Sequence, residues 1–156
     1  MWTTLNFGKH KGITLPHVIL SDPNWFFWAI SKGVFNDRLG FEAEALERRA
    51  TNIKIPKRHP ENWAVEYRRD RDGRFLGCDF VSTESGFRHP LSNYLPHLDL
   101  SHIRRGNIHD IRDSRRLIQE FRRLYFEGRN LTKQRCEWFF ENERHFTKSG
   151  WGPVFS

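Results

Sequence analysis

One short segment near the start of the chain has the residue types and spacing to hold a phosphate group. It reads Phe7-Gly8-Lys9-His10-Lys11-Gly12, so Lys9, His10 and Lys11 stand between two glycines. Glycine reaches positive φ readily, and the backbone N–H groups of such a loop can form a concave anion site beside the lysine ammonium groups. The same segment also fits a plain turn with solvated lysines, and the sequence leaves both interpretations open.

A second basic cluster lies on a predicted amphipathic helix, Ile111–Glu127. At about 100° per residue, one face of this helix carries mainly arginines and the opposite face carries Ile111, Leu117, Ile118, Phe121, Leu124 and Tyr125. The basic residues are Arg112, Arg115, Arg116, Arg122 and Arg123, and Arg104 and Arg105 extend the cluster before the helix. A stripe of this length is typical of proteins that follow a phosphate backbone. Alternatively, Arg116–Glu120 and Arg123–Glu127 could pair at i,i+4 on a solvated face.

The eight histidines prompt a search for a catalytic site. The residues His102, His109 and Asp110, which precede the arginine helix, loosely resemble the ββα core of HNH-type nucleases. In that resemblance His102 would be the general base, and His109 or Asp110 a metal ligand. In those nucleases an adjacent Asp/Glu–His pair ends a strand, whereas here Asp99 and His102 are not adjacent, and the asparagine expected on the helix is absent. We therefore predict no catalytic residue, metal or cofactor, and a degenerate HNH-like nuclease remains an alternative.

The elements around these clusters predict an α+β fold. It consists of an N-terminal strand-loop-helix module, a central β-hairpin and a C-terminal pair of α-helices. Asp22-Pro23 is a helix start and Gly33 a stop, while Asp72-Gly73 supplies the tight turn of the hairpin. The predicted elements are a strand at Thr4–Phe7, helices near Thr14, at Asp22–Gly33 and at Phe41–Ala50, hairpin strands at Trp63–Arg69 and Phe75–Val81, and helices at Ile111–Glu127 and Thr132–Phe146.

The length of 156 residues suits a single domain, 1–156. Sub-modules at 1–52 and 61–156 are possible, because Ile53–Pro60 is typical of an extended connection. With 14 Phe, 6 Trp and 3 Tyr the chain has enough aromatic surface to form a core, in which we expect Trp25 and Trp28. We expect Cys78 and Cys136 to be buried thiols.

A family resemblance rests on the Gly8–Gly12 loop followed by Asp22-Pro23, Trp25 and Trp28. This pattern resembles the small C-terminal domain of bacterial exodeoxyribonuclease X, and related bacterial and phage proteins share it. The resemblance covers about residues 5–50. In that family the domain is appended to a DNA-degrading enzyme, so the resemblance implies an accessory DNA-contacting role. The acidic metal-binding strands of the exonuclease have no counterpart in this sequence.

The charge balance points to a polyanionic partner. The net charge is +7, and arginine, which binds phosphate bidentately, makes up most of the 26 basic residues. We predict a non-enzymatic, cytoplasmic nucleic-acid-binding protein, with DNA favoured over RNA, no membrane contact, and phosphate contacts from the two basic clusters. A protein-interaction module that docks on an acidic partner is the alternative. Strand preference, sequence specificity, oligomeric state, pathway and whether both clusters share one face stay open.

Overall fold

The computed structural model describes residues 1–105 and 111–154. These residues form five α-helices and a three-stranded antiparallel sheet, joined by turns and loops. The helices are α1 (Leu15–Ser21), α2 (Pro23–Ser31), α3 (Asp37–Ala50), α4 (Ile111–Phe126) and α5 (Lys133–Glu141). The strands are β1 (Trp63–Arg69), β2 (Phe75–Ser82) and β3 (Asn93–Leu95). The predicted α+β class, the hairpin and the C-terminal helical pair are confirmed. His109, Asp110 and the side chain of Arg105 lie outside the described part.

The helix ends follow the capping residues. Asp22 caps α2, because its Oδ1 accepts a hydrogen bond from the Trp25 N–H at 3.3 Å, and Pro23 occupies the first helical position. Thr132 caps α5 in the same way through the Arg135 N–H. The last helix therefore begins as predicted, but it ends at Glu141 and is followed by a 3-10 turn at Glu143–His145.

Two predicted elements near the N-terminus have different bounds. Helix α3 begins at Asp37, four residues before the predicted start at Phe41, with Asn36 extended at the N-cap position. The expected strand Thr4–Phe7 is reduced to one bridge between Thr4 and Thr14.

The sheet has the order β2-β1-β3, and β1 is its central strand. In the hairpin Tyr67 faces Cys78, and the register shifts between Arg68 and Arg69. At the tip, Asp70 Oδ1 accepts hydrogen bonds from the backbone N–H groups of Asp72 and Arg74. Helix α4 packs along β2 at the edge of the sheet, so the edge strand and the arginine helix are direct neighbours.

One hydrophobic core contains residues from both proposed sub-modules, including Leu15, Phe26, Tyr67 and Phe121. The segment expected to separate them enters this core, because Ile53 is fully buried and bridges both Leu98 and Phe146. Of the helices described, none is long and apolar enough to cross a membrane.

The two tryptophans of α2 differ from the expectation of burial. Trp28 is 42% exposed, and Trp25 is half-buried with its ring edge-on to both His10 and Phe35. The neighbouring Phe26 fills the core position, because it and Phe27 point to the side of α2 that meets the rest of the protein.

Candidate nucleic-acid interface

The Gly8–Gly12 loop is a tight reversal closed by its own backbone. Gly8 and Gly12 have φ of 74° and 86°, a region that glycine adopts without strain. The N–H groups of Lys11, Gly12 and Ile13 donate to carbonyl groups of the same segment at 3.2, 2.7 and 3.2 Å. These three donors are therefore engaged inside the loop, and any anion affinity of the loop comes chiefly from its side chains.

Asp22 takes two of the three basic side chains of the loop. Its Oδ2 lies 2.9 Å from Lys9 Nζ and 3.1 Å from His10 Nε2. Burial alone would raise the pKa of Asp22, but the hydrogen bonds from Lys9 and His10 outweigh it and lower that pKa. Lys9 is still 58% exposed, and Lys11 is exposed with no partner in the described part of the chain.

Helix α4 uses its acidic residues to satisfy the free edge of β2. Asp113 Oδ2 accepts a hydrogen bond from the Phe75 N–H at 3.4 Å, and Glu120 Oε2 accepts one from the Cys78 N–H at 3.2 Å. An edge strand otherwise presents unpaired N–H and C=O groups. The two carboxylates therefore have a structural function.

Two of the predicted binding arginines donate hydrogen bonds to the same edge of β2. Arg116 Nη1 donates to the Leu76 carbonyl at 3.2 Å, and Arg123 Nη2 donates to the Cys78 carbonyl at 3.0 Å. Arg123 also pairs with Glu120 at 3.0 Å and lies 3.6 Å from Asp79. Between these described residues, neither of the predicted i,i+4 pairs, Arg116–Glu120 and Arg123–Glu127, forms. Sequence periodicity identified the face correctly but could not show that it lies against a strand edge.

Arg122 stabilises the loop between α4 and α5. Its guanidinium donates to the carbonyl groups of Gly128 and Arg129 at 2.8 and 3.1 Å, and to Asn130 Oδ1 at 3.1 Å. The helix ends there through two residues with positive φ, Glu127 and Gly128. Arg122 is therefore engaged in closing this loop.

The outer row of α4 consists of three exposed residues, of which Arg115 is available to a partner. Arg112, Arg115 and Gln119 follow one another at helical spacing and are all exposed. The Arg115 guanidinium has no hydrogen bond or ion pair to any residue that the structure describes.

The two basic clusters are neighbours at the N-terminus of α2. Arg104 donates to the backbone carbonyl of Asn24 at 3.2 Å and to its side-chain oxygen. Asn24 lies two residues after Asp22, which holds Lys9 and His10. Helix α4 contacts both α2 and the 3-10 turn His102–Arg105. A continuous set of contacts therefore connects the glycine-lysine loop with α4.

His102 lies in the protein interior rather than in an open site. It is 5% exposed, and its ring stacks on Tyr67 with 4.0 Å between centroids. Arg69 Nη2 lies 3.2 Å from His102 Nδ1 and donates to the His102 carbonyl at 2.9 Å. Because a guanidinium can only donate, Nδ1 is an acceptor, and a neutral ring then carries its proton on Nε2. This arrangement fits a structural histidine better than a general base.

The two cysteines are buried and free of disulfides. Burial raises the pKa of Cys78 and of Cys136 to about 12, so both stay thiols rather than nucleophilic thiolates. No group of three or more His, Cys, Asp or Glu side chains in the described ranges could hold a metal ion.

A basic groove that sequence reasoning missed lies on another part of the protein. Lys54, Arg144 and Lys148 line it together with Phe146 and Trp151. Lys54 is far in the chain from the other four residues, and only the alternation of basic and aromatic residues after Glu143 hinted at the groove.

No protein-family model, curated protein or solved structure matches this chain. The resemblance to the C-terminal domain of exodeoxyribonuclease X therefore stays a prediction.

Proposed function

We propose that this protein binds nucleic acid, DNA in the first place, through phosphate contacts and without catalysing a reaction. The contact surface extends from the glycine-lysine loop, past Arg104, to the outer row of α4. The observation that carries the proposal is that Arg104, from the second cluster, donates to Asn24 at the N-terminus of α2, two residues after the Asp22 that holds Lys9 and His10. Two separate basic patches would each offer few phosphate contacts, whereas adjacent ones can act on one backbone.

The exposed side chains of this surface suit a phosphate backbone. Lys11 and Arg115 have no internal partner among the described residues, and Lys9 remains mostly exposed beside Asp22. Their charges are therefore available to displace counterions from a polyanion. The surface presents few groups that could read base edges, so the proposal includes no sequence preference.

The engaged arginines limit how strongly binding should depend on salt. Arg116, Arg122 and Arg123 already bond to the protein itself, so only a few basic side chains are available for phosphate. With about three or four direct contacts, the slope of log K against log salt should be about −3 to −4 on duplex DNA. A face with all its arginines free would give a steeper slope.

Fluorescence anisotropy with labelled duplex DNA, measured at several salt concentrations, tests the proposal. We expect Lys11→Ala to weaken binding and to reduce the salt slope by about one. Lys32→Ala is the matched control, since Lys32 is an exposed lysine at the opposite end of α2 from Asn24. Equal losses in both variants, or no binding to any DNA or RNA at low salt, would contradict the proposal and favour an acidic protein partner. Cleavage of the probe with Mg²⁺ would instead favour the nuclease.

A further inference from the structure

We infer that a second site, which we call the tail groove, binds single-stranded nucleic acid. The tail groove has a volume of about 880 Å³ and is lined by Lys54, Pro60, Pro96, Arg144, Lys148 and Trp151, with Phe146 beneath. The inference rests on the proposed function only for the class of ligand, because none of these residues belongs to the surface proposed above.

The backbone around the tail groove is firmly held. The Lys54 N–H donates to the His145 carbonyl at 2.8 Å, and the Thr147 N–H donates to the Asn52 carbonyl at 3.0 Å. Ile53 between them bridges Phe146 on one side and Leu98 on the other. The segments that carry Lys54, Arg144 and Lys148 are therefore fixed relative to one another, as a preformed site requires.

The C-terminal wall of the groove is anchored to α3. Arg49 donates to the Phe140 and Gly152 carbonyl groups at 2.8 and 2.6 Å, and its guanidinium lies 3.9 Å from the centre of the Trp151 ring. Burial lowers the pKa of Arg49 to about 10, and the guanidinium therefore stays charged at neutral pH. Trp151 is thereby held in the wall by a cation that faces the ring.

The basic side chains of the groove are free for a ligand. Lys54, Arg144 and Lys148 are exposed, and their side chains form no hydrogen bond or ion pair within the described part of the chain. Two acidic residues, Glu61 and Glu143, also line the groove. Glu61 Oε1 lies 3.7 Å from His59 Nδ1. Cations therefore outnumber acids, in contrast to α4, where most arginines already have acceptors in the protein.

The walls between these cations are apolar and suit unpaired bases. Pro60, Pro96 and Trp151 supply this surface, and the buried Phe146 packs behind Trp151 with 5.7 Å between the ring centroids. Single-stranded nucleic acid is bound by grooves that combine cations for the backbone with apolar or aromatic surface for the bases. A duplex keeps its bases stacked inside and could use only the cations. An acidic peptide would match the charge but would leave the apolar walls unused.

The test compares two double variants on two probes. Anisotropy is measured with a short fluorescein-labelled oligothymidylate and with a labelled duplex, using Lys54→Ala/Lys148→Ala for the tail groove and Lys11→Ala/Arg115→Ala for the α4 surface. We expect the groove variant to weaken oligothymidylate binding about tenfold while duplex affinity changes less than about twofold. The surface variant should show the opposite pattern. Because Lys54 and Lys148 are exposed, the urea midpoint of the groove variant should not change and serves as the folding control.

The outcomes separate this inference from the proposed function. If oligothymidylate binding is unchanged in the groove variant, or if both probes weaken equally, the inference is wrong. If the duplex then still responds to Lys11→Ala/Arg115→Ala, the proposed function stands alone. Displacement of oligothymidylate by poly-glutamate at lower concentration than by unlabelled strand would also overturn the inference, since it identifies an acidic-peptide site.

Discussion

Replacement by alanine should affect different properties at two arginines of the same helix: stability at Arg123 and nucleic-acid binding at Arg115. Arg123 bonds to the edge of β2 and to two carboxylates, whereas Arg115 is exposed and has no partner in the described chain. Arg123→Ala should therefore destabilise the fold, and Arg115→Ala should leave stability almost unchanged while it weakens nucleic-acid binding. Each variant thus serves as the charge-matched control for the other.

The size of the Arg123 effect follows from its contacts. A hydrogen bond from a charged group contributes about 1.5–3 kcal/mol when it is well shielded from water. The Arg123 side chain is 49% exposed, so its ion pairs with Glu120 and Asp79 add only about 0–1 kcal/mol. Water can also reach part of the site once the guanidinium is gone, and we expect a net loss of about 1–2 kcal/mol. For a chain of this size that corresponds to a melting temperature lower by about 2–8 °C.

Urea unfolding followed by circular dichroism measures the two stabilities under one set of conditions. Arg115→Ala should fall within about 0.5 kcal/mol of the parent chain, as surface substitutions usually do. Anisotropy with duplex DNA then measures binding by both variants at a temperature where each is folded. Equal unfolding midpoints for the two variants would refute the structural role of Arg123. A normal affinity of Arg115→Ala would refute the binding role of the outer row.

Three further predictions concern packing and pH. Gly150→Ala should lower stability by about 1–3 kcal/mol in urea unfolding, because an added Cβ would collide with the Asn52 side chain. The pKa of Asp22 is lowered in the folded protein, so its contribution to stability is present above about pH 4 and is lost as the pH falls through the folded pKa. Asp22→Asn keeps the helix cap and should flatten the curve of stability against pH in this acidic range. Burial lowers the pKa of His145, so stability should fall as the pH drops below about 6.5, and His145→Gln should remove this dependence.

Local signals in the sequence predicted most of the elements. Asp22-Pro23 and Thr132 mark helix starts that the structure reproduces, and Asp72-Gly73 joins the predicted hairpin strands. These signals work because capping and turn formation depend on neighbouring residues alone. Elements without such a signal were placed less well. Helix α3 begins before its expected start, and Thr4–Phe7 pairs at only one residue.

The candidate site was harder to predict, because its residues are defined by long-range contacts. Helical periodicity placed Arg116 and Arg123 on the polar face of α4, and they do lie there. Periodicity contains no information about the strand that this face meets. Lys54 shows the reverse case, because nothing in its sequence neighbourhood points to a site and it joins Lys148 in the groove only through the pairing of Ile53 with Phe146.

The polar residues of α4 have different roles, and this limits how far net charge can indicate function. A helix that covers a strand edge must present donors and acceptors at i, i+3, i+4 and i+7, because those positions share one face. Asp113, Arg116, Glu120 and Arg123 follow one another on that face at steps of three, four and three residues, and each bonds to the backbone of β2. Arginine suits the carbonyl groups and carboxylate suits the N–H groups, so a structural stripe of this kind alternates in charge. A stripe that only binds phosphate needs no acids among its arginines. The acids within the stripe therefore mark the edge-covering residues of α4, and the phosphate contact that we propose for this helix falls to Arg115 outside that stripe.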